Sequence, residues 1–379
     1  MRKPTPVRLL LLPLALLCAL AQAAPAQTLT PLDARRALAS LPDSQAVLFV
    51  NARRIINEML PRVMPRDQYE KMLTEARQVG FDARGVEYAA AAIRFADPPP
   101  ANGLPEFVVV VKGNFNADSL LTLGRVALTA KNLKSRSETY GSKTIEILDL
   151  QSMSQPTEPA ADGGGEKPKT TPYPEVALMA LDSSTLVAGV PSYVRAVVDA
   201  AGGRGGLRSS MVDLAAHDPN ALWSLTAEMP PNLTDYLHKT GLPANQEADQ
   251  MISWVKQLSL AQGMDALNFS LSAAVLTDAP EHASAFSGLV RMGLLAAQTA
   301  LSREAAKQTP RDKDYVKTQT ALNALKTFVN RTEGNTLILS VSVPQKTVAA
   351  LVQQEMSKPK STGNPASQPG RRRGRARRR

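Results

Sequence analysis

A strict alternation of apolar and polar residues marks several short segments of this chain. From Leu267 to Val275, larger apolar residues or alanine occupy every second position, and the positions between them are mostly serine or asparagine. Such alternation indicates a β-strand with one face turned to a core and the other face less buried. Similar segments occur at 144–148, 220–229 and 337–343, and helix-type segments lie between them. The pattern predicts an α+β fold of mainly antiparallel sheets that are covered by helices.

The predicted elements follow a similar order in both halves of the chain. A strand follows Pro42-Asp43 in the first half, and another follows Asp218-Pro219 in the second. The strand-then-helix segments at 185–201 and 336–356 also correspond, because proline follows directly after each strand. We therefore expect two related α+β units. Two explanations remain open, a degenerate duplication and the recurrence that any α+β protein produces.

The first 26 residues have the features of a secretory signal peptide. Basic residues precede a leucine-rich stretch at 9–20, and small residues around Ala24 provide cleavage sites. The apolar stretch is short for a membrane span and contains a proline, so an uncleaved anchor is the less favoured alternative. Cys18 is the only cysteine and lies in this segment. The mature chain is then free of disulfides, and we expect an exported protein of the periplasm, cell envelope or extracellular space.

Composition divides the remaining chain. We expect a first α+β unit at 27–206, which contains a disordered loop at 151–174 that is rich in proline, glycine and charge. Its last residues, 202–206, are four glycines and one arginine and are interpreted as a helix terminator and connector. The second α+β unit is expected at 207–356, and 357–379 form a disordered, arginine-rich tail.

The formal net charge of +10 is unevenly distributed. The tail holds nine basic and no acidic residues, and the first 26 residues hold three basic and no acidic ones. Between these segments, 32 basic residues face 34 acidic ones. Aromatic residues make up only 4% of the chain, so stacking platforms for bases are not expected. Nucleic-acid binding is therefore not expected for the body and stays open only for the tail.

The arginines of the tail are the candidate polyanion-binding site. They are Arg371, Arg372, Arg373, Arg375, Arg377, Arg378 and Arg379. A guanidinium binds phosphate or carboxylate through two parallel hydrogen bonds, so the tail suits any polyanion. In an exported protein the expected partner is an anionic envelope component, either lipid headgroups or polysaccharide, with extracellular nucleic acid third. The alternative is a solubilising tail without a dedicated partner.

The sequence contains no motif that specifies catalysis or metal binding. Its three histidines are His217, His238 and His282, and none lies within four residues of another, so no helix presents a zinc-binding pair. The nucleophile motif G-x-S-x-G and the Walker phosphate loop are both absent. Paired carboxylates such as Asp312 and Asp314 lie in loops and are interpreted as solvated turn residues. We expect no catalytic residue, no cofactor and no metal.

Helices are predicted at 246–257, at 283–307 and at 313–330. The second of these is strongly apolar and has two interpretations. It either covers a sheet, as amphipathic helices in α+β domains do, or packs on a partner or a membrane surface.

Four short segments resemble those of a group of uncharacterised exported bacterial proteins. The segments are PDS-x-AV-x-x-V-N at 42–51, G-x-D-x-x-x-V at 80–86, V-x-G-x-F-x-A-x-x-L at 111–120 and Y-G-x-K-T-I at 140–145. The resemblance covers the body from about residue 41 to residue 356. It implies export and an α+β fold, and it implies no activity.

Together these observations predict an exported, non-enzymatic binding or scaffold protein of the cell envelope or periplasm. The mature chain is expected to lack a transmembrane span, and its basic tail is expected to attach to a polyanion. The alternative is a hydrolase whose site is assembled only in the tertiary structure.

Overall fold

The computed structural model describes residues 31–78, 82–98, 100, 103–129, 134–151, 173–218, 220–239, 245–309, 312 and 314–356. The strands are β1 (Ala46–Val50), β2 (Val86–Arg94), β3 (Glu106–Gly113), β4 (Ser135–Tyr140), β5 (Lys143–Asp149), β6 (Glu175–Asp182), β7 (Thr185–Gly189), β8 (Ala221–Glu228), β9 (Val255–Met264), β10 (Asn268–Thr277), β11 (Val329–Glu333) and β12 (Thr336–Pro344). The helices are α1 (Pro31–Ala39), α2 (Ala52–Arg54), α3 (Leu60–Val63), α4 (Arg66–Gln78), α5 (Ala117–Thr129), α6 (Pro191–Ala201), α7 (Ser209–Ala215), α8 (Leu233–Lys239), α9 (Gln246–Trp254), α10 (Pro280–Lys307), α11 (Tyr315–Lys326) and α12 (Gln345–Met356). A π-helical turn, Ile55–Met59, joins α2 to α3, and a 3₁₀ turn, Ala83–Gly85, precedes β2.

The twelve strands join in one sheet with the order β11-β12-β10-β9-β8-β1-β2-β3-β7-β6-β5-β4. The neighbouring strands pair antiparallel, as in the central pairing of β1 with β8. The predicted α+β class, with helices on a mainly antiparallel sheet, is confirmed. The units at 27–206 and 207–356 remain a prediction. The first range supplies β1 to β7, the second supplies β8 to β12, and both sets belong to the same sheet.

The strand order repeats on the two sides of the sheet centre. From the centre outward, one side runs β1-β2-β3-β7-β6 and the other runs β8-β9-β10-β12-β11. The hairpin β4-β5 extends the first side only. A degenerate duplication predicts such a repeat, because each copy would keep its own order of strand pairing. Strands β7 and β12 occupy equivalent positions in the two halves of the sheet. This agrees with the correspondence expected from the prolines at their C-terminal ends.

One face of the sheet, called face 1 and carrying Val47 and Phe49, holds the largest core cluster. Helices α1, α6 and α7 cover it, and Leu38, Tyr193 and Met211 from these helices are fully buried. Pro191 begins α6 in the position where a missing backbone N–H costs nothing, and Gly202 follows its last residue. The core of the first half is therefore closed on this side.

The opposite face, called face 2, carries Leu48 of β1. In register across the sheet, Leu48 lies beside Leu225, which lies beside Leu260. The segment from α2 to α4 covers face 2 around Val109 and Val111, and α5 covers it around Leu186. Helix α12 packs on the same face near Met264 and Phe269. Helices α8, α9 and α10 lie over the part of face 2 that β9, β10 and β12 form.

Two helix boundaries predicted from the sequence were wrong. The helix predicted at 246–257 ends at Trp254, and β9 begins at Val255. The helix predicted at 313–330 ends at Lys326, and β11 begins at Val329. In both places the backbone pairs with a neighbouring strand, and these long-range hydrogen bonds override the local helical pattern.

Several predicted segments lie wholly or largely outside the described residues. These are the signal peptide, most of the loop at 151–174, and the arginine-rich tail. The connector at 202–206 is among the described residues, and backbone hydrogen bonds join it to the segment that precedes β1. The amide of Asp43 donates to the carbonyl of Gly205 at 2.9 Å, and that of Leu207 donates to the carbonyl of Leu41 at 2.9 Å. Gly203 and Gly205 both have positive φ, which glycine adopts without strain.

Candidate functional site

An apolar groove on face 2 is the candidate functional site. It lies between the sheet and helices α8, α9 and α10, and it has a volume of about 330 Å³. The residues that line it are Met229, Leu233, Ile252, Val255, Leu258, Val275, Phe286, Val290, Leu337 and Leu339. Nine of them are aliphatic and one is aromatic, and none has an ionisable side chain.

The floor of the groove follows from strand register. Val275 of β10 lies between Leu258 of β9 and Leu337 of β12. One step further along β10, Ala273 lies between Leu260 and Leu339 on the same face. Ala273 is not among the lining residues, and it adjoins the groove through Leu339. The floor is thus a row of aliphatic side chains from three neighbouring strands.

The roof of the groove comes mainly from α10. Phe286 and Val290 are one helical turn apart, so both point to the sheet from the same side of the helix. Two hydrogen bonds hold α10 on β11: Ser287 Oγ donates to Asn330 Oδ1 at 2.9 Å, and Asn330 Nδ2 donates to the Ser287 carbonyl at 2.9 Å. The ring of Trp254 contacts Phe286 edge-on, with centroids 6.0 Å apart.

Polar groups occur at the end of the groove where α9 meets α10. Trp254 stacks on the ring of His282 with centroids 4.0 Å apart and an interplanar angle of 6°. His282 Nδ1 lies 2.5 Å from Asp278 Oδ1. This hydrogen bond lowers the pKa of Asp278, and the charges of His282 and Lys256 lower it further. This carboxylate is exposed and is not among the residues that line the groove.

The lining of the groove is incompletely buried. Leu337 is 2% exposed, whereas the other nine lining residues all retain partial exposure. By contrast, the core on face 1 around β1 and β2 contains fully buried residues such as Val47 and Ala92. Apolar side chains that keep contact with water are stabilised when a ligand or partner covers them. The arrangement can hold an apolar group, and no acid, base or nucleophile lines it to act on one.

The structure does not bring the histidines together. His217 lies after α7, His238 in α8 and His282 in α10. His238 Nε2 lies 3.2 Å from Asp249 Oδ1 and so links α8 to α9. Within the described part of the chain, no group of three or more His, Cys, Asp or Glu side chains is placed to hold a metal ion.

The arginine of the glycine-rich connector and a buried carboxylate of the sheet both have structural partners. Arg204, at the centre of the glycine-rich connector, forms an ion pair with Asp199 at 2.6 Å. Glu146 is a buried carboxylate on β5, and it pairs with Arg125 of α5 and accepts a hydrogen bond from Ser137. The seven arginines of the candidate polyanion site, from Arg371 to Arg379, lie outside the described residues. Their role is not tested by the geometry.

Among the described helices, none has both the length and the apolar character that crossing a bilayer requires.

Comparison with protein-family models and with curated proteins finds no match. Three solved structures, described as crystal forms III, IV and I of TP0453, are similar to this chain in part. Form III has a TM-score of 0.39 at 7% sequence identity, over 84% of this chain and 97% of that chain. Form IV has a TM-score of 0.39 at 9% identity, over 83% and 95%. Form I has a TM-score of 0.36 at 8% identity, over 84% and 97%.

Proposed function

We propose that this protein is an exported, non-enzymatic binding protein of the cell envelope or periplasm. It holds the alkyl chain of a ligand in the apolar groove and attaches to an anionic envelope component through its basic tail. The observation that carries the proposal is the groove, an apolar site of about 330 Å³ whose lining stays partly exposed. This volume lies within the ordinary range of small-molecule sites, which starts at about 300 Å³.

The chemistry of the lining selects the ligand class. Aliphatic side chains dominate, and Phe286 is the single aromatic residue among the ten. A flat aromatic ligand would lack stacking partners on most sides, whereas an alkyl chain matches a floor of leucine and valine. Each methylene that leaves water contributes about 0.8 kcal/mol, so chain length controls affinity.

The test is calorimetric titration with octanoate, decanoate and dodecanoate. The affinity is expected to rise about fourfold for each added methylene until the groove is filled. Affinity that does not depend on chain length overturns the assignment of the groove to an alkyl chain.

A matched pair of substitutions on one strand places the ligand in the groove. Ala273→Leu adds a larger side chain beside Leu339 of the floor and is expected to weaken dodecanoate binding about tenfold or more. Ala274→Leu adds the same atoms on face 1, one residue along β10, and is expected to leave the affinity within about twofold. Equal loss in both variants shows that a general disturbance of β10, rather than a filled groove, is responsible.

A further inference from the structure

Two helices that pack on face 2 present large apolar side chains away from the sheet. Helix α5 carries Leu123 and Val126, which are 54% and 64% exposed. Helix α10 carries Leu289, Met292 and Leu295, which are 46%, 62% and 60% exposed. We call these five residues the outer stripe. The two helices have equivalent places in the strand order, because α5 follows β3 and α10 follows β10.

Helical geometry directs the outer stripe to solvent. In α5, Ala117 is fully buried and Val126 follows nine positions later. In α10, Ala283 is fully buried and Met292 follows nine positions later. Nine residues are two and a half turns, so each exposed residue lies on the side of its helix opposite to the buried one. Both helices pack on face 2 with their buried sides. The outer-stripe residues of each helix therefore point away from the sheet.

The surface of α10 is also poor in charge. From residue 283 to residue 302 it contains one charged side chain, Arg291, and no acidic residue. The solvent side of a helix in a globular protein ordinarily carries charged and polar residues. Exposed apolar residues of this kind mark a surface that a protein or a membrane covers, and α10 lacks the character of a membrane span.

Charge identifies the surface that the outer stripe meets. Helix α12 packs on face 2, and the chain continues from it into the tail with nine basic residues and no acidic ones. Anionic headgroups complement this charge, and the acyl region below them complements the apolar side chains. A second copy of the chain supplies no such complement to the tail, because its body is almost neutral.

We propose that the outer stripe docks on the surface of an anionic lipid bilayer, with the exposed apolar sides of α5 and α10 in contact with it. Docking does not require a ligand in the groove.

The first experiment measures the environment of the outer stripe on each of the two helices. The predicted mature chain has no cysteine, so Met292→Cys and Val126→Cys accept an environment-sensitive fluorophore at one defined site each. Leu267→Cys is the matched control, because Leu267 is 72% exposed and lies in the turn between β9 and β10. Vesicles of phosphatidylcholine with about one-third phosphatidylglycerol are expected to shift the emission at 126 and 292 to the blue and to leave 267 unchanged. No shift at 126 and 292 overturns the proposal.

The second experiment separates the stripe from the tail. Met292→Gln combined with Leu295→Gln is expected to reduce vesicle co-sedimentation about tenfold, and Leu267→Gln is expected to have no effect. Chains that lack 357–379 should keep the emission shift at 292 on vesicles at saturating lipid, which distinguishes failure of the tail from failure of the stripe. Unchanged circular dichroism and unfolding midpoints show that the variants are folded.

Emission spectra of the labelled chain without lipid, recorded over a range of protein concentrations, complete the test. If the shift at 292 appears with rising protein concentration alone, the outer stripe contacts a second copy and the bilayer proposal is wrong.

Discussion

The hydroxyl of Thr226 is a local flaw in the packing between the two halves. Thr226 lies in β8 opposite Val47 of β1 and is fully buried. Its Oγ1 has no hydrogen-bond partner among the described residues. An unsatisfied buried hydroxyl loses its hydrogen bonds to water without replacement and lowers stability. The neighbouring Ser224 avoids this cost, because its Oγ donates to the carbonyl of Ala215 at 2.5 Å.

Replacing Thr226 with valine is therefore expected to stabilise the protein. Thr226→Val keeps the shape of the side chain and removes the unsatisfied group, so the free energy of unfolding should rise by about 1 kcal/mol. The control is Thr185→Val, since Thr185 is equally buried but its Oγ1 donates to Asp182 Oδ2 at 2.9 Å. That variant should lose about 1 kcal/mol. Urea titration of both variants measures the two changes, and a destabilised Thr226→Val contradicts the account.

At the scale of elements, the edge strand β4 depends on ion pairs more than on apolar contacts. Its residues are almost all polar, and its side chains reach past β5 or up to α6. Glu138 accepts two hydrogen bonds from Arg195 of α6, at 2.6 and 2.8 Å. Arg136 forms a similar pair with Glu175 of β6. Charged residues on an edge strand also discourage pairing with another chain.

These pairs predict an acid-sensitive stability. The hydrogen bond from Arg195 lowers the pKa of Glu138, and that from Arg136 lowers the pKa of Glu175. A carboxylate whose pKa is lower in the folded state stabilises the fold above its unfolded pKa of about 4.3, and this contribution is lost as the pH falls through the folded pKa.

Glu138→Gln is expected to remove part of this pH dependence. The variant should be less stable than the parent at neutral pH, and the difference should shrink as the pH falls below about 4. Glu333→Gln is the control, because Glu333 pairs with Arg331 within the opposite edge strand and joins no second element. Unfolding midpoints measured from about pH 3 to pH 7 decide the matter. A constant difference between Glu138→Gln and its parent refutes the linkage.

The same elements explain what the sequence predicts and what it does not. The segments at 144–148, 220–229 and 337–343 alternate in sequence, and all three form strands of the sheet. In β8, however, the buried face carries Ser224 and Thr226, whereas Trp223 and Leu225 of the apolar series stay partly exposed. Strand β4 has no such signal, since the residues before Tyr140 are polar on both faces. In β9, Gln262 interrupts the series of Leu258, Leu260 and Met264, and the preceding helical pattern extends into the strand.

The groove was not predicted for a related reason. Its floor consists of residues that the alternation assigns to a core, such as Val275, Leu337 and Leu339. Whether a helix fully covers such residues depends on how α10 is seated, and the seating depends on the pair of Ser287 with Asn330. These residues are 43 positions apart in the chain. The apolar character of α10 left two interpretations open. Its inner side covers a sheet, whereas its outer side remains exposed.

For the whole molecule, the division of charge separates the body from the tail. The body of the mature chain has two more acidic than basic residues, whereas the tail holds nine basic residues in its 23 positions. Many basic residues of the body are paired with carboxylates, including Arg53, Arg94, Arg195 and Arg208. Paired guanidinium groups on a near-neutral surface create little long-range attraction for a polyanion.

Deleting residues 357–379 is therefore expected to abolish binding to heparin and duplex DNA, and to weaken binding to anionic vesicles, on which the outer stripe still docks at saturating lipid. At about 0.15 M salt, the full chain should bind heparin and anionic vesicles, and its affinity should fall steeply as salt is raised, because each phosphate or sulfate contact releases a counterion. Binding of duplex DNA should follow the same rule, since the tail reads charge rather than sequence.

The control replaces the seven arginines with lysine, which keeps the charge and removes the bidentate hydrogen bonds. A tail-deleted chain that still binds duplex DNA at this salt concentration would place a basic surface on the body. Equal distribution of full-length and tail-deleted protein among cell fractions would show that the tail attaches the protein to nothing in the envelope.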